Sequence, residues 1–214
     1  MSSERTTKSV RIDGRRLRSA RTKQLIVEAY LALLRESPEI PTASAIAERA
    51  GYSVRSVFER FPDLHALRVA ATDYAFTQGT AQAVARDVHG DRATRIRSHV
   101  ETRSWICEQW LPLWRALVGN QGDSSELKAR ILAIRQSILR RIELMYAAEL
   151  STLDDVERRQ TVLAIDALVD FDSWARMRDF SGLSAEEARE VWIKTIDRLL
   201  PPTPQRAKER RAVS

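Results

Sequence analysis

Arg55 is the side chain best equipped for chemistry with a partner in this sequence of 214 residues. Its planar fork of donors matches the O6 and N7 acceptors of guanine in a major groove, a bidentate contact worth about 1–3 kcal/mol of discrimination. The residues around it suit the same task. Ser53 and Ser56 are short donors for a phosphate or a base edge, Val54 can touch a thymine methyl, and Arg60 offers several donors to one phosphate. Thr42 and Ser44 bring hydroxyls to the start of a helix, where exposed amides attract phosphate, and Tyr52 can add a backbone contact. Each also has a plainer role. Ser53 can be only a helix cap, Val54 a half-buried packing residue, Arg55 a surface or phosphate-binding arginine, and Tyr52 a cover over a domain core.

Stepping outward, the stretch TASAIAERAGYSVRSVFERF from Thr42 to Phe61 reads as two short helices joined by a sharp turn. Ile46, Ala47 and Ala50 give the first helix an apolar face. Gly51 stands where that helix must stop, since glycine alone takes positive φ without a side-chain clash. Ser53 can cap the second helix. Val54, Val57, Phe58 and Phe61 recur at three and four residues and predict one buried face, leaving Ser53, Arg55, Ser56, Glu59 and Arg60 for solvent or a partner. The pattern is a helix-turn-helix whose second helix is short enough for a major groove, and equally an ordinary packed helix pair of an all-α domain.

Charge localises the attraction. The formal net charge is +6, but residues 1–24 carry +6 and residues 201–214 carry +3, so the body between them is acidic. Basic ends on an acidic body argue against coating nucleic acid over the whole surface. The single cysteine, Cys107, rules out an intramolecular disulfide framework, and no apolar stretch reaches membrane-spanning length. A cytoplasmic protein with no membrane contact is expected.

In chain order, residues 1–18 read as a flexible basic arm, with Arg15, Arg16 and Arg18 as phosphate or minor-groove contacts or as a solvated tail. Residues 19–67 form the helix-turn-helix domain, and a helix opening at Asp63 continues to about residue 85 as a connecting element. Residues 86–200 form a second helical domain. In it, helices are expected from about Ala93 to Leu111, interrupted by Pro112, from Glu126 to Leu150, and from Val156 to about Arg178. Ser184 to Glu187 has capping-box spacing and opens a last helix to Leu200. The last two helices are material for a homodimer seam or for the monomer's own core. Residues 201–214 read as a flexible basic tail. The fold class is all-α.

With these residues in view, the chain resembles the tetracycline-repressor (TetR) family of transcriptional regulators. The resemblance rests on KQLIVEAYLALLRE and TASAIAERAGYSVRSVFERFPDLHAL, with Thr42, Ile46, Ala47, Ala50, Gly51, Ser53, Phe58, Phe61 and Asp63 in the family's places. It implies an all-helical homodimer whose amino-terminal domains read a near-palindromic operator in double-stranded DNA. Its carboxy-terminal domains would bind a small-molecule effector that releases the DNA, with no cofactor. Three positions depart from the pattern. Phe58 and Arg60 stand where the family usually has tyrosine and histidine, and Leu64 stands where a backbone-gripping lysine is common.

The effector is expected among His99, Trp105, Trp110, Trp114, Met145, Tyr146 and Trp174, each of which can equally be core. No metal-ligand spacing joins His65, His89 and His99, and no glycine-rich phosphate loop or serine nucleophile elbow is present. A helical enzyme is therefore the weaker alternative. A ligand-binding helical partner protein with degenerate DNA affinity is the other.

Overall fold

Every element among the residues described in this computed structural model is helical, as the sequence predicts; those residues are 14–37, 39–84, 88–119, 122 and 124–204. The chain divides into two compact units, Met1–Ala71 and Thr72–Ser214. The boundary falls inside one helix, α4 (Leu64–Val84).

The first unit is built on α1 (Gly14–Glu36), α2 (Ala43–Ala50), α3 (Val54–Arg60) and the opening of α4. Its core gathers Ile26, Tyr30 and Leu34 from α1, Ile46 and Ala47 from α2, Val57 and Phe61 around α3, and Leu67 from α4. The caps are those the sequence predicts. Thr42 Oγ1 accepts from Ala45 N at 3.2 Å, Ser53 Oγ from Ser56 N at 3.1 Å and Asp63 Oδ1 from Ala66 N at 2.7 Å. Gly51 takes φ 73°, and its N–H bonds back to α2. One expectation fails at the start. Residues 14–18, assigned to a flexible arm, are the first turn of α1, because no breaker interrupts the run of arginine, leucine and alanine that follows Gly14. The rest of that arm, residues 1–13, lies outside the described residues, as do Pro38 and the tail from residue 205.

The second unit is a bundle around α5 (Arg92–Gly119), α6 (Ser125–Met145), α8 (Asp155–Leu168) and α10 (Ala185–Leu199). α5 continues through Pro112, against expectation. A mid-helix proline costs about 3 kcal/mol, but Trp110, Leu113, Trp114 and Leu117 on either side of it are buried and hold the helix in place. The expected helix to Leu150 instead breaks at Tyr146 and resumes as α7 (Ala147–Leu150). The expected helix to Arg178 also breaks. α8 stops at Leu168, Asp170 caps a short α9 (Phe171–Ala175) by accepting from Phe171 N, and a π-helical turn follows from Arg176 to Phe180. Arg103 explains the first of these stops, since its Nε and Nη2 donate to the Val169 carbonyl at 3.2 and 2.8 Å. Before α10 the expected capping box is present, with Ser184 and Glu187 bonded reciprocally. No helix among the described residues is long and apolar enough to cross a membrane.

Arg92 fastens the ends of the bundle. At the start of α5 it donates to Asp197 Oδ1 at 2.7 Å and to the carbonyls of Asp197, Leu200 and Pro201, closing the last turn of α10. The last carbonyls of a helix have no partner within it, and a cation at a helix C-terminus also complements its dipole.

Candidate functional site

The outer face of α3 carries Arg55, whose side chain is 88% exposed and forms an i,i+4 ion pair with Glu59 at 3.0 Å. Such an exposed pair is worth only ~0.3–0.5 kcal/mol, so Arg55 can exchange Glu59 for a base edge at little cost. Ser53 and Ser56 meet each other through their hydroxyls at 3.0 Å, at the amino end of the same helix. Phe58 corrects a sequence expectation. The periodicity put Val54 and Phe58 on the buried face with Val57 and Phe61, but only Val57 and Phe61 are buried, while Val54 and Phe58 are exposed. A helix of seven residues lying on α1 and α2 has room for one narrow stripe, and Val57 and Phe61, four apart, fill it.

Around α3 the other expected contacts scatter by degree of exposure. Thr42 and Ser44 are exposed at the start of α2, and Arg16 and Arg18 are exposed on α1, which also contains Arg15. Tyr52 is half-buried, its hydroxyl accepting weakly from Thr22 Oγ1 at 3.5 Å. Arg60 is half-buried too, with Nη1 4.0 Å from Glu59 and a buried Nε without a partner. It is less free to reach outward than Arg55. Leu64, at the position of the missing lysine, is half-buried in the first turn of α4.

The second unit contains a cavity of about 310 Å³ between α4, α5 and α6. Of the seven residues expected to meet an effector, His99, Trp110 and Trp114 line it. Trp105, Met145, Tyr146 and Trp174 do not. Trp105 is half-buried elsewhere, and Met145 is core. Trp174 packs against Trp192 with ring centroids 4.8 Å apart and donates its indole N–H to Glu108 at 2.8 Å. Tyr146 stands one residue behind the wall, its hydroxyl 2.8 Å from His99 Nδ1.

The sequence reading missed the cavity's polar lining. Arg103, Arg140 and Arg141 all line it, together with Thr102 and Ser137. Helical register held the signal, because Arg103 lies one turn after His99 and Arg141 three residues after Ile138, both on stripes that face inward. Burial pushes the His99 imidazole down to about 3, helped by the charges of Arg103 and Arg141, so the ring is neutral at physiological pH. Burial also pushes Arg141 down. Cys107 is a buried thiol pushed up to about 12, and a thiol held protonated is a poor nucleophile. Among the described residues no group of histidine, cysteine and carboxylate side chains is placed to hold a metal.

No family model and no curated protein sequence matches the chain. Solved structures do. A TetR-family transcriptional regulator from Streptomyces coelicolor superposes with a TM-score of 0.71 at 18% identity, covering 84% of this chain and 80% of that one. The chain has the TetR-like fold. A transcriptional regulator from Rhodococcus sp. RHA1 aligns with a TM-score of 0.68 at 16% identity, over 85% of this chain and 99% of its own. The multidrug binding protein EbrR, solved with imidazole, aligns with a TM-score of 0.53 at 18% identity, over 86% and 97%. Within that TetR-like fold, α2 and α3 form the helix-turn-helix.

Proposed function

We propose that this protein is a ligand-responsive, DNA-binding transcriptional regulator and not an enzyme. In this reading it is a repressor that holds a near-palindromic operator as a homodimer and releases it when a small apolar or amphipathic molecule occupies the cavity of the second unit. The observation that carries the reading is α3 itself, a capped helix on a glycine turn with Val54, Arg55 and Phe58 all exposed. Ser53, Ser56, Thr42, Ser44 and Tyr52, with Arg15, Arg16, Arg18 and Arg60, supply phosphate and edge contacts around it. The exposed Phe58 can lie against a sugar or a methyl group, where the family's tyrosine would bond a phosphate.

Dimerisation through the last two helices draws support from apolar side chains left exposed there, namely Val156 and Leu163 on α8 and Val191 and Leu199 on α10. Ligand binding in the second unit draws support from the cavity and from the likeness to a multidrug binding protein. A cytoplasmic location goes with this role.

Fluorescence anisotropy with DNA fragments flanking the protein's own coding region, beside a scrambled fragment and at several salt concentrations, tests the reading. Sequence-preferring binding that weakens steeply with salt is expected. Equal weak binding to every fragment would favour a helical ligand-binding protein whose DNA affinity has decayed.

A further inference from the structure

The cavity is polarised from end to end. α5 and α6 face each other in opposite directions across it, as two pairings show: His99 meets Tyr146 at one end, and Trp114 meets Arg135 at the other, with the guanidinium 5.6 Å from the ring centroid. The His99 end holds Thr102, Arg103 and Arg141. The Trp114 end is walled by Trp110, Leu113, Leu117 and Ile134. Among the described residues no aspartate or glutamate lines the cavity.

Among the described residues its cations also lack a carboxylate partner. Arg103 is 5% exposed, its Nε and Nη2 donate to the Val169 carbonyl and its guanidinium lies 5.4 Å from the Phe171 ring centroid, so among the described residues it has no carboxylate partner. Asp166 feels the charge of Arg103 but makes no ion pair with it and does not line the cavity. Arg141 has a buried Nη2 without a partner, and His99, 2% exposed, has its Nε2 in the same condition. Buried donors and charges of this kind cost free energy unless something pairs with them. With the Tyr146 hydroxyl donating to Nδ1, His99 Nε2 is an N–H donor; that donor, the Arg141 guanidinium and the Arg103 charge at one end of a largely apolar cavity are a receptor for negative charge.

We infer that the effector is an amphipathic carboxylic acid, bound with its carboxylate among Arg141, Arg103 and His99 and its hydrocarbon body along Trp110, Trp114, Leu113 and Leu117. A planar carboxylate matches the guanidinium fork, and its single charge suits a site where a neutral imidazole completes the set. The cavity's volume of about 310 Å³ lies at the small end of the range of about 300–1,000 Å³ for ligand pockets, which favours a compact acid. This inference rests on the effector reading above and names the chemical class that reading leaves open.

Tryptophan fluorescence reports occupancy directly, since Trp110 and Trp114 line the wall. The full-length protein is titrated with decanoate, decan-1-ol and decylamine, which share one chain and differ in head group. Decanoate is expected to bind at least tenfold more tightly than the alcohol, with the amine weakest. Arg141→Gln is expected to erase the preference for decanoate over decanol, and Arg141→Lys to keep most of it, which separates loss of charge from damage to the fold. Equal or tighter binding of decanol, no saturable binding of decanoate, or an Arg141→Gln protein that retains the preference would overturn the inference. The same titration against operator-bound protein separates the two claims. Selective decanoate binding without DNA release leaves the carboxylate site standing and removes the effector reading.

Discussion

The Tyr146 hydroxyl lies 2.8 Å from His99 Nδ1 inside the second unit, and that contact fixes the orientation of an imidazole that lines the cavity. Tyr146 occupies the break between α6 and α7, where its backbone leaves helical geometry at φ −116° and ψ 21°. An uninterrupted helix would carry its hydroxyl elsewhere. Tyr146→Phe removes the bond and leaves the ring nitrogen buried without a partner, at a cost of about 1–3 kcal/mol. The loss is expected in the denaturant midpoint, with looser binding of any cavity ligand beside it.

His99 also makes stability depend on pH. An unfolded histidine takes up a proton near its ordinary 6.5, whereas the folded one resists protonation down to about 3. Between those values the unfolded state binds the extra proton, so stability is full above pH 6.5 and falls as the pH drops towards 3. Denaturant unfolding from pH 7.5 to 4.5 should show this slope. His99→Gln should flatten it, and an unchanged slope would place the titration elsewhere.

A second acid-sensitive group is the carboxylate of Glu149. Glu149 is fully buried and pairs bidentately with Arg95 at 2.6 and 2.8 Å, while Thr203 donates to it at 2.5 Å. Burial pushes its carboxyl up, but the hydrogen bonds from Arg95 and Thr203 outweigh burial and hold it down at about 2. Its contribution is therefore complete above an ordinary 4.5 and is lost as the pH falls from there towards 2. Breaking the pair from one side should cost more than acid does. Arg95→Met leaves an unpaired buried carboxylate and is expected to destabilise by ~3–5 kcal/mol, measured at neutral pH.

On α3, the Arg55 and Glu59 pair makes opposite predictions for its two members. Arg55→Ala should lower affinity for the preferred sequence by roughly 1–3 kcal/mol and bring it closer to scrambled DNA. Glu59→Gln releases Arg55 and removes a negative charge from the face that meets phosphate, so binding should tighten for all sequences. Neither change should move the melting temperature appreciably, because both side chains are exposed.

Which of these features the sequence displays depends on how far apart their partners lie. The caps at Thr42, Ser53, Asp63 and Ser184 were legible because each bonds an amide three residues on. The end of α8 was not, since the arginine that takes the Val169 carbonyl stands 66 residues earlier. Pro112 misled for the same reason: its penalty is local, and the burial that overrides it comes from other helices. In the cavity, aromatic residues pointed to themselves. Arg103 and Arg141 drew no reading, because their helical register with His99 and Ile138 marks them as inward only once α5 is known to pack against α6.

Two glycines should respond to the same substitution with opposite signs. Gly51 sits at φ 73°, and a Cβ there would meet no atom within 4 Å, so Gly51→Ala is opposed purely by backbone conformation. Left-handed geometry costs an L-residue about 1–2 kcal/mol, and the melting temperature should fall accordingly. Because the turn aims α3, operator affinity should fall with it, and asparagine, which tolerates this region better, should restore part of both. Gly79 lies inside α4, where a Cβ would make ordinary contact with Ile106 Cδ1 at 3.6 Å. Exchanging glycine for alanine in a helix interior gains roughly 0.8–1 kcal/mol, so Gly79→Ala should raise the melting temperature. Gly79 also lines the cavity, and the added methyl narrows it. The stabilised protein should therefore bind the longest ligands that fit the parent less well, a trade readable by pairing a melting curve with one tryptophan-fluorescence titration.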